Sequence, residues 1–176
     1  MITIRKQLIT WLFEKSQRIY RRFKKKQPWG ITSEDLLRMP INSYGYRLGG
    51  FLRSNEFELI PKVERHDAYH VLTGFGTCQE DEIALQYLCF GNGKRTPYLF
   101  AVLFLGTIIL PDYFKYYRKA YDFGKRSNSF HHFDFKTVLP LDYQLFRSTI
   151  FSEETIEALH SLHGNFASQS SKSITV

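Results

Sequence analysis

The sequence predicts an all-α, single-domain, bundle-like fold. Apolar residues recur at spacings of three and four along most of the chain, proline and glycine punctuate it at helix-length intervals, and no stretch keeps a period-two alternation. At 176 residues and 43% hydrophobic, the chain can bury one sizeable core and is too short for two ordinary domains with linkers. Its 16 Phe and 11 Tyr imply an interior of large flat side chains, packed on one another or lining an apolar cavity.

Residues 1–27 read as a basic amphipathic helix. Ile4, Leu8, Trp11, Leu12, Ile19 and Phe23 recur at helical spacing, and Arg5, Lys6, Lys15, Arg18, Arg21, Arg22 and Lys24 to Lys26 fill the other positions. Such a helix fits an anionic lipid surface and a docked position on the core equally well, because a hydrophobic stripe does not say what it faces. The formal net charge of +7 is concentrated here: residues 1–30 hold nine Lys or Arg against the single acid Glu14. No helix-turn-helix, zinc-finger or RNA-recognition signature accompanies the cluster, so nucleic acid is not an expected partner. An Arg-rich, acid-poor leader is also what a mitochondrial transit peptide looks like.

Residues 28–167 form the expected domain. Pro28 and Gly30 end the first helix, and Thr32 or Ser33 followed by Glu34 and Asp35 is a capped start closed by Pro40. Ser43 to Arg53 follows as a short helix despite three glycines. After Pro61 a helix runs through Leu72, a turn holds Gly74 and Gly76, and a helix from about Gln79 to Phe90 is closed by Gly91, Asn92 and Gly93. The apolar run Tyr98 to Leu110 is followed by a helical pattern from Asp112 to Gly124, a loop or extended piece at Phe130 to Phe135, and a last amphipathic segment from Asp142 to Ile150. The Ser-rich residues 168–176 read as a disordered tail.

That apolar run is 13 residues long, short of the roughly 20 a membrane-spanning helix needs, so no span is expected. Leu8 to Phe13 is interrupted by Thr10 and stopped by Glu14, which is unlike a secretory signal. With only Cys78 and Cys89, neither a disulfide framework nor a four-sulfur zinc site is expected, and a reducing, cytoplasmic setting follows.

One cluster combines metal-ligand residue types with orderly spacing: His66, Asp67 and His70, with Glu82 twelve positions after His70, the pattern H-D-x-x-H-x11-E. On a helix, positions 66 and 70 lie one above the other, about 6 Å apart at Cβ, so both imidazoles can address one ion. Asp67 sits about 100° round the cylinder, close enough to lean in as a ligand or to fix an imidazole from behind. The glycine turn lets the next helix run back and present Glu82. Nitrogen and oxygen ligands together suit Zn²⁺, with Fe, Co or Mg as other choices, and three protein ligands would leave a position open for catalysis. Zincin metalloproteases use H-E-x-x-H, whose longer Glu serves as general base; here Asp67 replaces it, and no third His ligand stands at the usual place. HD-type phosphohydrolases need a histidine upstream, and His66 is the first in the chain. Carboxylate di-iron bundles need two Glu-x-x-His pairs, which the sequence does not supply. His131, His132, His160 and His163 read as loop or tail residues.

The whole H-D-x-x-H-x11-E pattern, with V-L-T-G directly after His70, resembles the signature of the coenzyme Q biosynthesis protein 4 family. F-L-R-S-N upstream, the charged aromatic helix from Tyr116 to Gly124, and L-D-Y-Q-L-F-R near the end extend the likeness over about residues 30–150. The resemblance implies a helical fold, peripheral attachment to the membrane where quinones are made (the matrix side of the mitochondrial inner membrane in a eukaryote), and a pocket for a polyprenylated aromatic or other isoprenoid lipid. It also implies partnership with quinone-biosynthesis enzymes, with a second copy of the chain as a further partner, and a part in removing the C1 carboxyl of the prenylated ring, a lyase chemistry. His66, His70 and Glu82 would then be metal ligands, Asp67 a ligand or proton handler, and Asp67 and Glu82 the catalytic pair. Residues 99–110 with nearby Phe and Tyr would line the lipid tunnel. The alternative is a noncatalytic lipid-binding scaffold with a structural metal; a metal hydrolase of a small soluble substrate is a third reading.

Overall fold

The computed structural model describes residues 2–23, 25, 27–159 and 161–162. The side chains of Ile19 and Phe23, the histidines 160 and 163, and the Ser-rich tail lie outside the described residues. Helices α1 (Ile2–Phe23), α2 (Ser33–Leu37), α3 (Tyr44–Ser54), α4 (Glu64–Thr73), α5 (Gln79–Gly91) and α6 (Pro97–Ile109) precede a 3₁₀ turn, Pro111–Tyr113. Then come α7 (Phe114–Arg126), α8 (Phe135–Val138) and α9 (Tyr143–Ile150), and residues 153–159 are again helical. No strand occurs among the described residues, and the extended pairing that does occur is an isolated bridge between Ser43 and Asp142. The fold is all-α.

Local chemistry explains most boundaries. Thr32 caps α2 and exchanges hydrogen bonds with Asp35 in a full capping box. Ser43, Thr96 and Asp142 cap α3, α6 and α9 through their side-chain oxygens. Gly74, at φ 83°, ends α4 in the left-handed conformation its missing Cβ permits. Helix α4 starts at Glu64 and not directly after Pro61, because Lys62 has φ 75° and a right-handed helix cannot pass through that conformation. The segment expected to be one helix from residue 112 is a 3₁₀ turn followed by α7; residues 130–134 form a loop, the first of the two expected alternatives, and Phe135 opens a short helix.

Helix α5 is the axis of the core, packed on α7, α6, α4 and α1. Its tightest neighbour is α7: a side chain at Gly91 would strike the Tyr121 carbonyl, and one at Gly124 the Leu88 carbonyl, so the two backbones touch. Helix α3 rests on α2, α4 and α9.

Helix α1 docks on the core by a face the stripe did not include. Ile9 is buried and Ile2 and Phe13 pack beside it, while Ile4, Leu8 and Trp11 point outward from roughly the opposite side of the cylinder. Helix α6 is divided the same way: Leu99, Val102, Leu103 and Gly106 face in, and Phe100, Phe104 and Ile108 face out, Phe104 at 66% exposure. No single described helix is long and apolar enough to cross a membrane; α6 and the stretch to Arg126 would qualify together, but they are bent by 102°.

Candidate metal centre

The site depends on how α4 is held. Its last carbonyls have no partner within the helix, and side chains from α9 take two of them: the Tyr143 hydroxyl donates to Val71 O at 3.1 Å and Arg147 Nε to Leu72 O at 3.1 Å. The buried Tyr44 hydroxyl makes a short hydrogen bond to Ala68 O. With its back fixed in this way, α4 turns Arg65, His66, Asp67 and Tyr69 into a cavity of about 640 Å³. Helix α5 contributes Gln79, Glu82 and Gln86 to the facing wall, and Thr10 and Phe13 of α1 close another side. The turn between α4 and α5 is set by Asp81, which accepts from Gly76 N at 3.1 Å and from the Tyr116 hydroxyl.

At the base of this cavity the ligand atoms of His66, His70 and Glu82 all lie within 4.8 Å of one another. The two Nε2 atoms are 3.2 Å apart, His66 Nε2 is 2.9 Å from Glu82 Oε2, and His70 Nε2 is 3.3 Å from Glu82 Oε1. His70 is 2% exposed and its ring stacks on Phe51. Its Nδ1 lies 3.1 Å from Phe75 O, and since a carbonyl only accepts, Nδ1 carries a proton. A neutral His70 therefore points a lone pair from Nε2 at a carboxylate, an arrangement that requires a cation or a proton between them.

The electrostatics agree. Burial by itself would raise the Glu82 carboxyl, but His66 and His70 outweigh it and hold the group well below the usual carboxylate range. Burial opposes charging His70, yet Glu82 and the Phe75 carbonyl lift its pKa above the ordinary value. Glu82 also sits in the first turn of α5, where the helix dipole favours an anion. Asp67 lines the same cavity but is not in the convergent group. Burial pushes its carboxyl up to about 6, offset only in part by the two histidines.

The donor set fits a divalent ion. Two ligands at tetrahedral corners, each 2.0–2.1 Å from Zn²⁺, stand about 3.3 Å apart; the two imidazole nitrogens are 3.2 Å apart and His66 is 2.9 Å from Glu82 Oε2, while His70 meets the other carboxylate oxygen, Oε1, at 3.3 Å, so the carboxylate spans the pair. His66, His70 and Glu82 would hold the ion on three sides, leaving the cavity side open.

In overall fold the chain is similar to a crystal structure of a candidate ubiquinone biosynthesis protein from Nostoc punctiforme PCC 73102. The TM-score is 0.60 at 19% identity, with 85% of this chain and 82% of that one covered. At that identity the likeness establishes a shared fold. No family model matches the chain, and no curated protein matches it in sequence.

Of the residues expected to line a lipid tunnel, Tyr98 and Val102 do border the cavity. Most of residues 99–110 are instead either core, like Leu99, or outward-facing, like Phe104 and Ile108. His131 and His132 lie on the turn before α8, and the His131 carbonyl accepts from both Arg65 and Tyr69. Two cavity residues carried no spacing signal, Arg65 and Lys94, because what relates them is the packing of the loop after α5 onto α4.

Proposed function

We propose that this chain belongs to the coenzyme Q biosynthesis protein 4 family, binds a divalent metal on His66, His70 and Glu82, and holds a polyprenylated quinone precursor in the adjoining cavity to support loss of the ring's C1 carboxyl. The observation that carries this reading is the convergence of two imidazole nitrogens and a carboxylate oxygen at the base of a cavity sized for an organic ligand. A bound divalent ion supplies positive charge that polarises ring or carboxylate oxygens. The chain itself does the rest: α4 and α5 orient the head of the ligand, Phe13, Ile60, Val63 and Val102 exclude water from its hydrocarbon part, and Asp67 is placed to hold a proton beside the reacting ring. The C1–carboxyl bond breaks and carbon dioxide leaves. The electron pair left on the ring is taken by a proton or, in the oxidative form, by external dioxygen, which leaves one oxygen at C1 and departs with the other as water while a para-hydroxylated ring becomes the quinone.

The outward apolar faces of α1 and α6, on a helix pair that also carries the basic leader, support peripheral attachment to an anionic membrane. They equally favour a second reading, a noncatalytic isoprenoid carrier that works with quinone-biosynthesis enzymes at that surface and uses the metal structurally.

Elemental analysis of the purified full-length chain tests the first step: about one divalent ion per chain is expected, and Glu82→Gln lowers metal affinity at least tenfold. Release of carbon dioxide from a prenylated hydroxybenzoate then separates the two readings. Loss of release in a folded Glu82→Gln protein supports the enzyme, equal release removes it, and no recoverable metal in the wild type removes the metal centre.

A further inference from the structure

The inference rests on the lipid cavity proposed above and concerns two cations in its wall. Arg65 leaves α4 one position before His66, and Lys94 lies just beyond α5; both border the cavity. Both gather on one aromatic ring: the Arg65 guanidinium carbon is 5.8 Å, and Lys94 Nζ 5.2 Å, from the Tyr69 ring centroid. Each is steadied by a neutral acceptor, Arg65 Nη1 donating to His131 O at 3.2 Å and Lys94 Nζ to Gln86 Oε1 at 3.4 Å.

Neither has a counter-ion. Among the described residues no carboxylate oxygen comes within 4.0 Å of either cation; of the acids lining the cavity, Glu82 is engaged with the two histidines and Glu58 with the Ser33 hydroxyl, while Glu14, Glu56 and Asp67 stand beyond ion-pair distance. Holding two like charges together in a recess without an anion is unfavourable, and a single carboxylate or phosphate accepting from both would relieve it. Burial, with Arg65 adding repulsion, holds the Lys94 ammonium below its ordinary pKa, as expected of a cation awaiting a partner. Gln86 is four residues after Glu82, so Lys94 is tethered about one helical turn from the proposed metal ligands. The remaining wall mixes apolar side chains, among them Phe57, Ile60, Val63 and Val102, with polar and acidic ones, Glu14, Glu56 and Asp67 included.

We propose that Arg65 and Lys94 form an anion-recognition pair, one turn of α5 beyond the His66, His70 and Glu82 group, which binds the carboxylate or phosphate head of an amphiphile whose hydrocarbon part lies along the apolar side chains of the cavity, Phe57, Ile60, Val63 and Val102. A guanidinium and an ammonium offer a flat fork and a point charge, a combination suited to a multi-oxygen anion.

The test uses the full-length protein with EDTA present, so that no metal contributes, and titrates decyl phosphate, decanoate and decanol by calorimetry at low salt. At least one anionic amphiphile is expected to bind tenfold or more tightly than decanol; tighter binding of decyl phosphate assigns a phosphorylated lipid, and of decanoate a carboxylic acid. Lys94→Met and Arg65→Gln each lower that anion's affinity at least fivefold and leave decanol unchanged, and Lys94→Arg restores most of the loss. Should Lys94→Met melt early, Arg65→Gln and the wild-type comparison of anion with alcohol still decide. If decanol binds as well as both anions, or the variants keep the preference, the pair is structural while the lipid cavity stands. If none of the three binds, the cavity proposal falls and the anion pair with it.

Discussion

Where α5 meets α7, glycines 91 and 124 let backbone rest on backbone; where α1 meets α5 and α6, contact runs through Ile9 and long polar side chains. Lys6 Nζ reaches Glu80 Oε1 at 2.7 Å, Arg5 reaches Asp112 at 2.8 Å, and Gln79 Nε2 donates to Thr10 Oγ1 at 2.9 Å. The first interface has no room to yield, whereas the second is made of separate ties that can break singly. The candidate site has a wall of each kind, since Glu82 stands on α5 and Phe13 on α1. Glu82 is thus carried on the unyielding side, His66 and His70 stand on α4 opposite it, and the α1 side of the cavity is the adjustable one.

Gly124→Val should have the largest effect, because its methyl groups would enter the Leu88 carbonyl: a loss of about 3 kcal/mol in urea unfolding is expected. A loss below about 1 kcal/mol would mean that the α5–α7 contact can relax. Lys6→Met leaves Glu80, which is 5% exposed, without its cation and should cost about 2 kcal/mol, with early hydrogen exchange confined to α1. Uniform exchange over α5 and α7 instead would show that α1 is not a separate unit. Tyr44→Phe removes the hydrogen bond that holds Ala68 O and should cost about 1 kcal/mol. It should also weaken metal binding several-fold, because the α4 histidines lose an anchor from behind; unchanged affinity would place their positioning elsewhere. Ile108→Ser on the outward face of α6 should change stability by less than about 0.5 kcal/mol. It should nonetheless reduce co-sedimentation with anionic vesicles, and undiminished sedimentation would remove this face from the membrane reading.

Much of the fold was legible because it is local. The capping box at Thr32 and Asp35, the glycine stop at Gly74 and the helical period after Gln79 each depend on residues within a turn or two of one another. Boundaries went astray where a single dihedral departed from what composition favours, as at Lys62, whose left-handed backbone delays the start of α4 to Glu64. Orientation went astray in α1. A stripe drawn through Ile4, Leu8 and Trp11 is a real feature of the helix, but Ile9 and Phe13 on the other side are the residues that meet the core.

The sequence by itself determined that His66 and His70 share a helix face and that Glu82 follows on the next helix, because a 3.6-residue period and a glycine turn are properties of neighbouring residues. Only the tertiary structure decided that Glu82 arrives within 3.3 Å of both imidazoles, that α1 forms a cavity wall, and that Arg65 and Lys94 meet over Tyr69. These contacts arise from how whole helices pack, and helix packing is set by the summed shapes of many distant side chains, which leave no fixed spacing along the chain.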